Sequence, residues 1–236
     1  MTTYYTLVAS LPPLPRSFDA GPIPITASTL RHRLSMLTDA DRFVTDQLAD
    51  FFRWDRQPIE RSDGDVIARH QQLKRQIRNP LVLRLVEHRF EVRTLVAALR
   101  CQRDGAPRPE LPALPVSTWI RRHWDKAGFG SSSRYPWVAV FCQALDEKQP
   151  KHAQYELFSE LWQVWSRLDQ QYHFTFESVV LYLARWEILF RWSSQNTELG
   201  QQRFDDLVED ILGSSVVPHR ESALEFSVGD DRVASP

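Results

Sequence analysis

The chain has 236 residues, of which 42% are hydrophobic and 11% aromatic, and its formal charge is -1. A chain of this length and composition can bury at least one sizeable core, so it belongs to the globular class. The balanced charge excludes the whole-chain basic footprint typical of duplex-binding proteins, and we expect no nucleic-acid partner.

Residues 1–25 predict an extended, proline-rich N-terminal segment. The stretch YYTLVAS is short and rich in aromatic and β-branched residues, which favours a strand or a buried extended segment. The following LPPLPRSFDAGPIP cannot continue a helix. The N-terminus lacks the basic and apolar regions of a signal peptide, and no window reaches the ~20 apolar residues of a membrane span. We therefore expect a cytoplasmic protein, which can still sit against a membrane complex.

Residues 26–104 predict a first helical lobe. Thr38 can cap a helix that begins at DADRF, and Asn79 with Pro80 is typical of the start of a longer helix. The apolar side of the first helix is predicted to consist of Phe43, Leu48, Phe51 and Phe52. The longer helix is predicted to bury Leu85, Val92, Leu95, Val96 and Leu99, and to form a polar stripe from Arg84, Glu87, His88 and Glu91.

The same region is locally basic. Between Val66 and Arg103 there are nine basic side chains and only two acidic ones, Glu87 and Glu91. Such a stretch can orient the docking of a partner, or its charges can be satisfied inside the fold. The candidate partner-binding residues are Arg69, Lys74, Arg75 and Arg78.

A proline-rich linker over residues 105–115 leads to a predicted second helical lobe over residues 116–212. The stretch YELFSELWQVWSRLDQQY is amphipathic, with Leu157, Leu161, Trp165, Leu168 and Tyr172 on one side. The segment from Val179 to Trp192 is apolar nearly all round and is predicted to be the central helix of this lobe. Glu187 and Arg191 are spaced as an i,i+4 ion pair within it. Residues 213–236 are polar and aperiodic, and we expect a disordered tail.

The sequence contains no motif that carries catalysis, a cofactor or a metal. GFGSSSR lacks the Lys-Ser/Thr of a phosphate-binding loop and is interpreted as a helix–helix loop. The seven histidines show no metal-ligand spacing, and Cys101 and Cys142 are interpreted as reduced core residues. Most of the eight tryptophans are attributed to the core, although those beside arginines could stack on guanidinium groups or anchor a partner.

Three stretches resemble a known family. YYTLVASLPPL followed by a proline-rich connection resembles the opening of an uncharacterised bacterial family encoded with V-type ATPase subunits. FEVRTLVAALRCQRDG resembles the inner-helix motif of the V/A-type ATPase C subunit, whose eukaryotic counterpart is the d subunit. YLARWEILFRW followed by GQQRFDDLVEDIL resembles the last long helices of the bacterial family.

The resemblance implies an all-α, two-lobed helical bundle similar to the V/A-type ATPase C subunit, with a non-catalytic role between the central stalk and the membrane rotor ring. The expected partners are central-stalk subunits and the ring, and the expected location is cytoplasmic, peripheral to the inner membrane. The alternative is an unrelated helical adaptor that binds a protein through a Trp/Arg surface. An enzyme is disfavoured because no nucleophile–base or metal constellation is present.

Overall fold

The computed structural model describes residues 3–52, 60–130 and 133–195, and over these ranges it is built from helices. The prediction of an all-α fold is confirmed in this part of the chain, where the only β-type contact is an isolated bridge between Thr3 and Thr175. The helices are α1 (Tyr5–Ser10), α2 (Ala27–Leu34), α3 (Asp39–Phe52), α4 (Asp63–Gln76), α5 (Pro80–Arg103), α6 (Pro115–Arg122), α7 (Trp137–Asp146), α8 (Pro150–Asp169) and α9 (Phe176–Ser193).

The chain divides into two compact units, residues 1–194 and 195–236. All nine helices just named belong to the first unit. The end of the predicted second lobe and the predicted tail, residues 196–236, lie outside the described residues. Among those described, no helix has the length and apolar character needed to cross a membrane.

The prediction of an extended segment or strand near the N-terminus is wrong, because the chain forms α1 there. Tyr4 and Leu7 are buried and Val8 and Leu11 are partly buried. This spacing of i, i+3, i+4 and i+7 places the four side chains on one side of a helix. Packing of that side against the core outweighs the strand preference of the aromatic and β-branched residues, and α1 ends before Pro12.

The predicted helix starts at Thr38 and Asn79 are confirmed. Thr38 Oγ1 accepts a hydrogen bond from the Asp41 N–H at 3.3 Å. Asn79 Oδ1 accepts bonds from the first two N–H groups that follow Pro80, at 3.0 and 3.2 Å. Each side chain satisfies backbone donors that have no partner within the helix, and so fixes where the helix begins.

The apolar side of α3 differs in part from the prediction. Leu48 and Phe51 are buried, but Phe43 is 51% exposed. The buried positions of α3 follow Thr45, Leu48 and Phe51 at a spacing of three residues, and Phe43 lies off this stripe. The side chain of Phe52 lies outside the described residues.

A main core connects the first and second halves of the described chain, and Ile25, Leu30, Tyr182 and Trp186 form a second, smaller cluster. The buried side chains of the main core run from Tyr4 to Leu189, and the apolar residues predicted for α5 all belong to it. α9 is buried along most of its length, as predicted for a central helix. α5 and α9 therefore pack as inner elements, and α1, α3 and α4 contribute side chains to the same core.

The proline-rich segment over residues 11–25 is held against α8 and α9 by three aromatic side chains. Each donates to a backbone carbonyl of the segment at 3.0 Å: Tyr182 Oη to Pro12, Trp162 Nε1 to Arg16, and Trp186 Nε1 to Ile25. These bonds satisfy the polar ends of buried rings. They also place a segment that has few backbone hydrogen bonds of its own.

Candidate partner-binding surface

The four candidate cations differ in what they contact. Arg69 is half-buried and donates to Gln47 Oε1 on α3 at 3.0 Å, and also to Gln72 Oε1. Lys74 is exposed, and its Nζ lies 2.6 Å from Glu87 Oε1 on α5. These two cations therefore hold α4 to its neighbours.

Arg75 and Arg78 are the remaining candidates, and we call them the basic edge. Arg75 lies in the last turn of α4 and Arg78 in the loop between α4 and α5. Both are exposed, and within the described residues neither makes a side-chain hydrogen bond or ion pair. Their charges are available to a partner.

The loop that carries Arg78 is joined to the start of α9. Asn79 Nδ2 donates to Glu177 Oε1 at 2.7 Å. Burial by itself raises the pKa of Glu177, but hydrogen bonds to the carboxylate, foremost the one from Asn79, lower the pKa overall. Glu177 is therefore ionised and hydrogen-bonded. Its bond to Asn79 places the α8–α9 turn at the same end of the bundle as the basic edge.

That turn presents an exposed aromatic pair, Tyr5 and Phe174. Tyr5 is 61% exposed and Phe174 40% exposed, and their ring centroids are 5.0 Å apart. The Tyr4 N–H donates to the Phe174 carbonyl at 2.6 Å, which holds the two chain segments together. Phe174 has φ +56°, a left-handed conformation that is an outlier for a bulky side chain.

A groove with a volume of about 410 Å³ lies beside the aromatic pair, and Phe174 forms part of its lining. Its lining includes Val8 and Leu14 of the N-terminal segment, and Tyr182 and Arg185 of α9. Arg185 Nη2 lies 2.5 Å from Asp169 Oδ2 and its guanidinium lies over the Trp162 ring. Burial raises the pKa of Asp169, and the guanidinium of Arg185 opposes that rise. The lining therefore combines apolar side chains with polar ones, which are Gln170, His173 and Ser178 besides the Asp169–Arg185 ion pair.

Three of the four side chains in the predicted polar stripe of α5 contact other parts of the chain. Glu87 pairs with Lys74, His88 Nε2 lies 3.8 Å from Glu160 on α8, and Glu91 accepts a hydrogen bond from Tyr135. Of the four predicted stripe residues, Arg84 is the one for which the structure gives no such contact. α5 is thus an inner strut that is contacted on its polar side as well as its apolar side.

The charges on α9 also lie between helices. Arg191 Nε donates to Glu187 Oε1 at 2.7 Å, and their side chains are 20% and 23% exposed. Arg89 of α5 is buried close to both. Burial and then the Arg191 charge lower the pKa of Arg89 to about 9, while Glu187 opposes this. An internal cluster of Arg89, Glu187 and Arg191 therefore links α5 to α9. The sequence spacing predicted the pair of Glu187 and Arg191 but not the participation of Arg89.

The loop predicted at GFGSSSR is a tight turn around a buried aromatic ring, with residues 131–132 outside the described part. Gly128 and Phe129 both have positive φ in the 3₁₀ turn Ala127–Gly130. Phe129 is fully buried and stacks on Trp124 with centroids 5.6 Å apart. The turn is therefore explained by packing.

No tryptophan in the described ranges provides the exposed anchor that the sequence allowed. Each tryptophan in the described ranges is buried or half-buried, and Trp54 lies outside them.

Cys101 and Cys142 are free and half-buried, and burial raises the pKa of both thiols. No group of three or more His, Cys, Asp or Glu side chains in the described ranges could hold a metal ion.

Comparison with family models, curated proteins and solved structures finds no match for the chain.

Proposed function

We propose that the protein is a non-catalytic component of a bacterial V-type ATPase, as a subunit or an assembly-linked factor, that couples the central stalk to the membrane ring. Its sequence motifs motivate the proposal: YYTLVASLPPL lies near the N-terminus, FEVRTLVAALRCQRDG lies in α5, and YLARWEILFRW lies in α9. The observation that carries most weight is that α5 and α9, the two motif helices, are packed in one core and linked by internal charges.

A coupling element must transmit torque without local unfolding. α5 has 24 residues, which corresponds to a rod of roughly 36 Å. Its apolar side is buried, and its polar side is tied to α4, α8 and the Tyr135 region. Dense packing of this kind resists deformation. These features support a mechanical role.

The basic edge is the proposed contact with an acidic surface of the stalk or ring. Exposed cations increase the rate of association with an acidic partner and make it sensitive to salt. Arg75 and Arg78 suit that role because both are exposed. Arg69 and Lys74 contribute chiefly by holding α4 in place.

Affinity purification of the tagged chain from gently solubilised membranes of its native host tests the proposal. Wild type should recover central-stalk and ring subunits, and the purified chain should hydrolyse no nucleotide. The double variant Arg75→Glu/Arg78→Glu should recover less, and more so at higher salt. The matched control is Arg108→Glu/Arg122→Glu, which reverses two exposed arginines elsewhere. Recovery without ATPase subunits from preparations in which the ATPase is intact would contradict the proposal.

The second candidate is a helical adaptor for a different protein. The exposed pair of Tyr5 and Phe174 favours it, since surface aromatics are common anchors in protein interfaces. The same purification separates the two functions. Stoichiometric recovery of another partner, in place of stalk and ring subunits, would support the adaptor.

A further inference from the structure

We infer that the face of α8 and α9 beneath residues 11–25 is a recognition site for an extended, proline-rich peptide that carries a phenylalanine. Residues 11–25 are its ligand within the same chain, and a free peptide of the same sequence competes with them for the site. We call this surface the aromatic face. Its recognition of such a peptide does not depend on the proposed function.

The aromatic face binds the backbone of the segment through carbonyl groups. Three of its side chains donate to carbonyls of the segment at 3.0 Å: Tyr182 to Pro12, Trp162 to Arg16 and Trp186 to Ile25. These bonds read the path of an extended chain, because the carbonyl is common to all residues. Aromatic-lined grooves are a recurring way in which proteins recognise proline-rich segments.

Phe18 is the side chain of the segment that the aromatic face encloses. It is 2% exposed, whereas Arg16 and Asp19 near it are exposed. Its ring centroid lies 5.2 to 6.0 Å from those of four rings on α8 and α9, which are Tyr155, Phe158, Trp162 and Trp192. Tilted and edge-to-face ring pairs are favourable beyond the area they bury. The face therefore selects its ligand chiefly through a phenylalanine at this position.

The segment is extended because of its own sequence. Leu11, Pro12 and Leu14 each precede a proline, which confines their backbone to extended conformations. Pro12, Pro13 and Pro15 have φ fixed by their rings, and Leu11 is extended with φ -82° and ψ 124°. A free peptide of this sequence is therefore largely ordered before it binds, and it loses little conformational freedom on binding.

The segment can leave the aromatic face without breaking a helix. Within the described residues, the one backbone–backbone hydrogen bond among residues 12–25 is local, from the Ala20 N–H to the Ser17 carbonyl at 3.2 Å. The groove of about 410 Å³ is lined both by residues 11–14 and by the α8–α9 turn, so this end of the segment is not packed closely against the turn. Both features favour exchange of the segment with a free peptide.

The test measures binding of a fluorescently labelled peptide of residues 11–25 to the full-length protein by anisotropy. In wild type the segment occupies the face at an effective concentration on the order of millimolar. The variant Phe18→Ala should therefore bind the peptide at least about tenfold more tightly than wild type does. A peptide that itself carries Phe18→Ala should bind this variant at least about tenfold more weakly. Equal binding by the two proteins, equal binding of the two peptides, or no binding by the variant would overturn the inference.

Further variants assign the binding to the aromatic face. Adding Tyr182→Phe to Phe18→Ala removes the hydroxyl that donates to the Pro12 carbonyl, and should weaken peptide binding by about threefold or more. Phe43→Ala is the control, because Phe43 is an exposed phenylalanine outside the segment, and it should bind like wild type. Unchanged binding with Tyr182→Phe, or tighter binding with Phe43→Ala, would overturn the inference.

Phe18→Ala should retain the helical circular dichroism of wild type, because Phe18 lies outside the helices. If it does not, Phe18→Leu, which keeps part of the packing, takes its place and the same outcomes decide. Peptide binding without recovery of ATPase subunits would leave the aromatic face standing and remove the proposed function alone. Recovery of ATPase subunits without peptide binding would do the reverse.

Discussion

His70 is a buried base whose neutral form the fold requires. Its side chain is only 4% exposed, and its ring stacks on Phe90 with centroids 4.1 Å apart. Burial, reinforced by Lys74 and opposed by Glu87, lowers its pKa from 6.5 to about 4. The unfolded chain therefore takes up a proton at higher pH than the folded chain. Its contribution to stability is complete above pH 6.5 and is lost as the pH falls towards 4.

As the pH falls from 6.5 to about 4, the protonation of His70 should lower the free energy of unfolding by roughly 3 kcal/mol. This follows because each pKa unit corresponds to about 1.4 kcal/mol. The substitution His70→Phe keeps an aromatic ring against Phe90 and removes the titration. Urea unfolding at a pH of about 7.5 and a pH of about 5 should show a larger loss of unfolding free energy in wild type than in the variant. An identical loss in both proteins would mean that His70 does not titrate in this window.

Phe174 and Phe129 have the same unusual backbone but opposite environments. Their φ values are +56° and +55°, while Phe174 is 40% exposed and Phe129 is fully buried. Phe174→Gly should change the unfolding free energy by less than about 1 kcal/mol, because relief of backbone strain offsets the lost ring contact. Phe129→Gly should cost about 3–5 kcal/mol through the cavity it leaves. Chemical denaturation of both variants measures the difference, and equal costs would assign Phe174 a structural role.

At the scale of elements, the α5–α9 contact depends more on Glu187 than on Arg191. Glu187 stabilises the charges of Arg191 and of buried Arg89, while the side chain of Arg191 remains 20% exposed. Glu187→Ala should cost about 3 kcal/mol, because it leaves two arginines together in a largely buried place. Arg191→Ala should cost about 1–2 kcal/mol, since Arg89 continues to compensate Glu187. A larger loss for Arg191→Ala in urea unfolding would reverse this order.

Local chemistry explains which elements were predictable. Thr38 and Asn79 act through bonds within three residues of themselves, so their sequence context was enough to locate two helix starts. α1 is short, and its composition favours a strand; its helical form depends on the tertiary burial of Tyr4 and Leu7. For segments of this length, packing outweighs intrinsic preference.

Only the charged part of the candidate site, the basic edge, could be predicted from the sequence. Arg75 and Arg78 belong to a basic stretch that is visible in the sequence. Tyr5 and Phe174 come from opposite ends of the described chain, and only the folded structure places their rings in contact. Because neither residue has a distinctive local pattern, no sequence signal could have paired them.

At the scale of the whole molecule, the proposed role is that this helical body couples the central stalk of the ATPase to its membrane ring. Its main core draws buried side chains from α1 and from α3 to α9, and both motif helices are part of it. Loss of the chain should therefore uncouple ATP hydrolysis from ion pumping, or prevent the assembly of the stalk with the ring, without removing the catalytic subunits.

The most direct test is ATP-driven charging of membrane vesicles from a strain that lacks the chain, followed with a membrane-potential dye. The dye response does not depend on which ion is pumped. The deletion should abolish ATP-driven charging, wild-type chain should restore it, and the variant Arg75→Glu/Arg78→Glu should restore it poorly. Normal ATP-driven charging in vesicles from the deletion strain would contradict the coupling role.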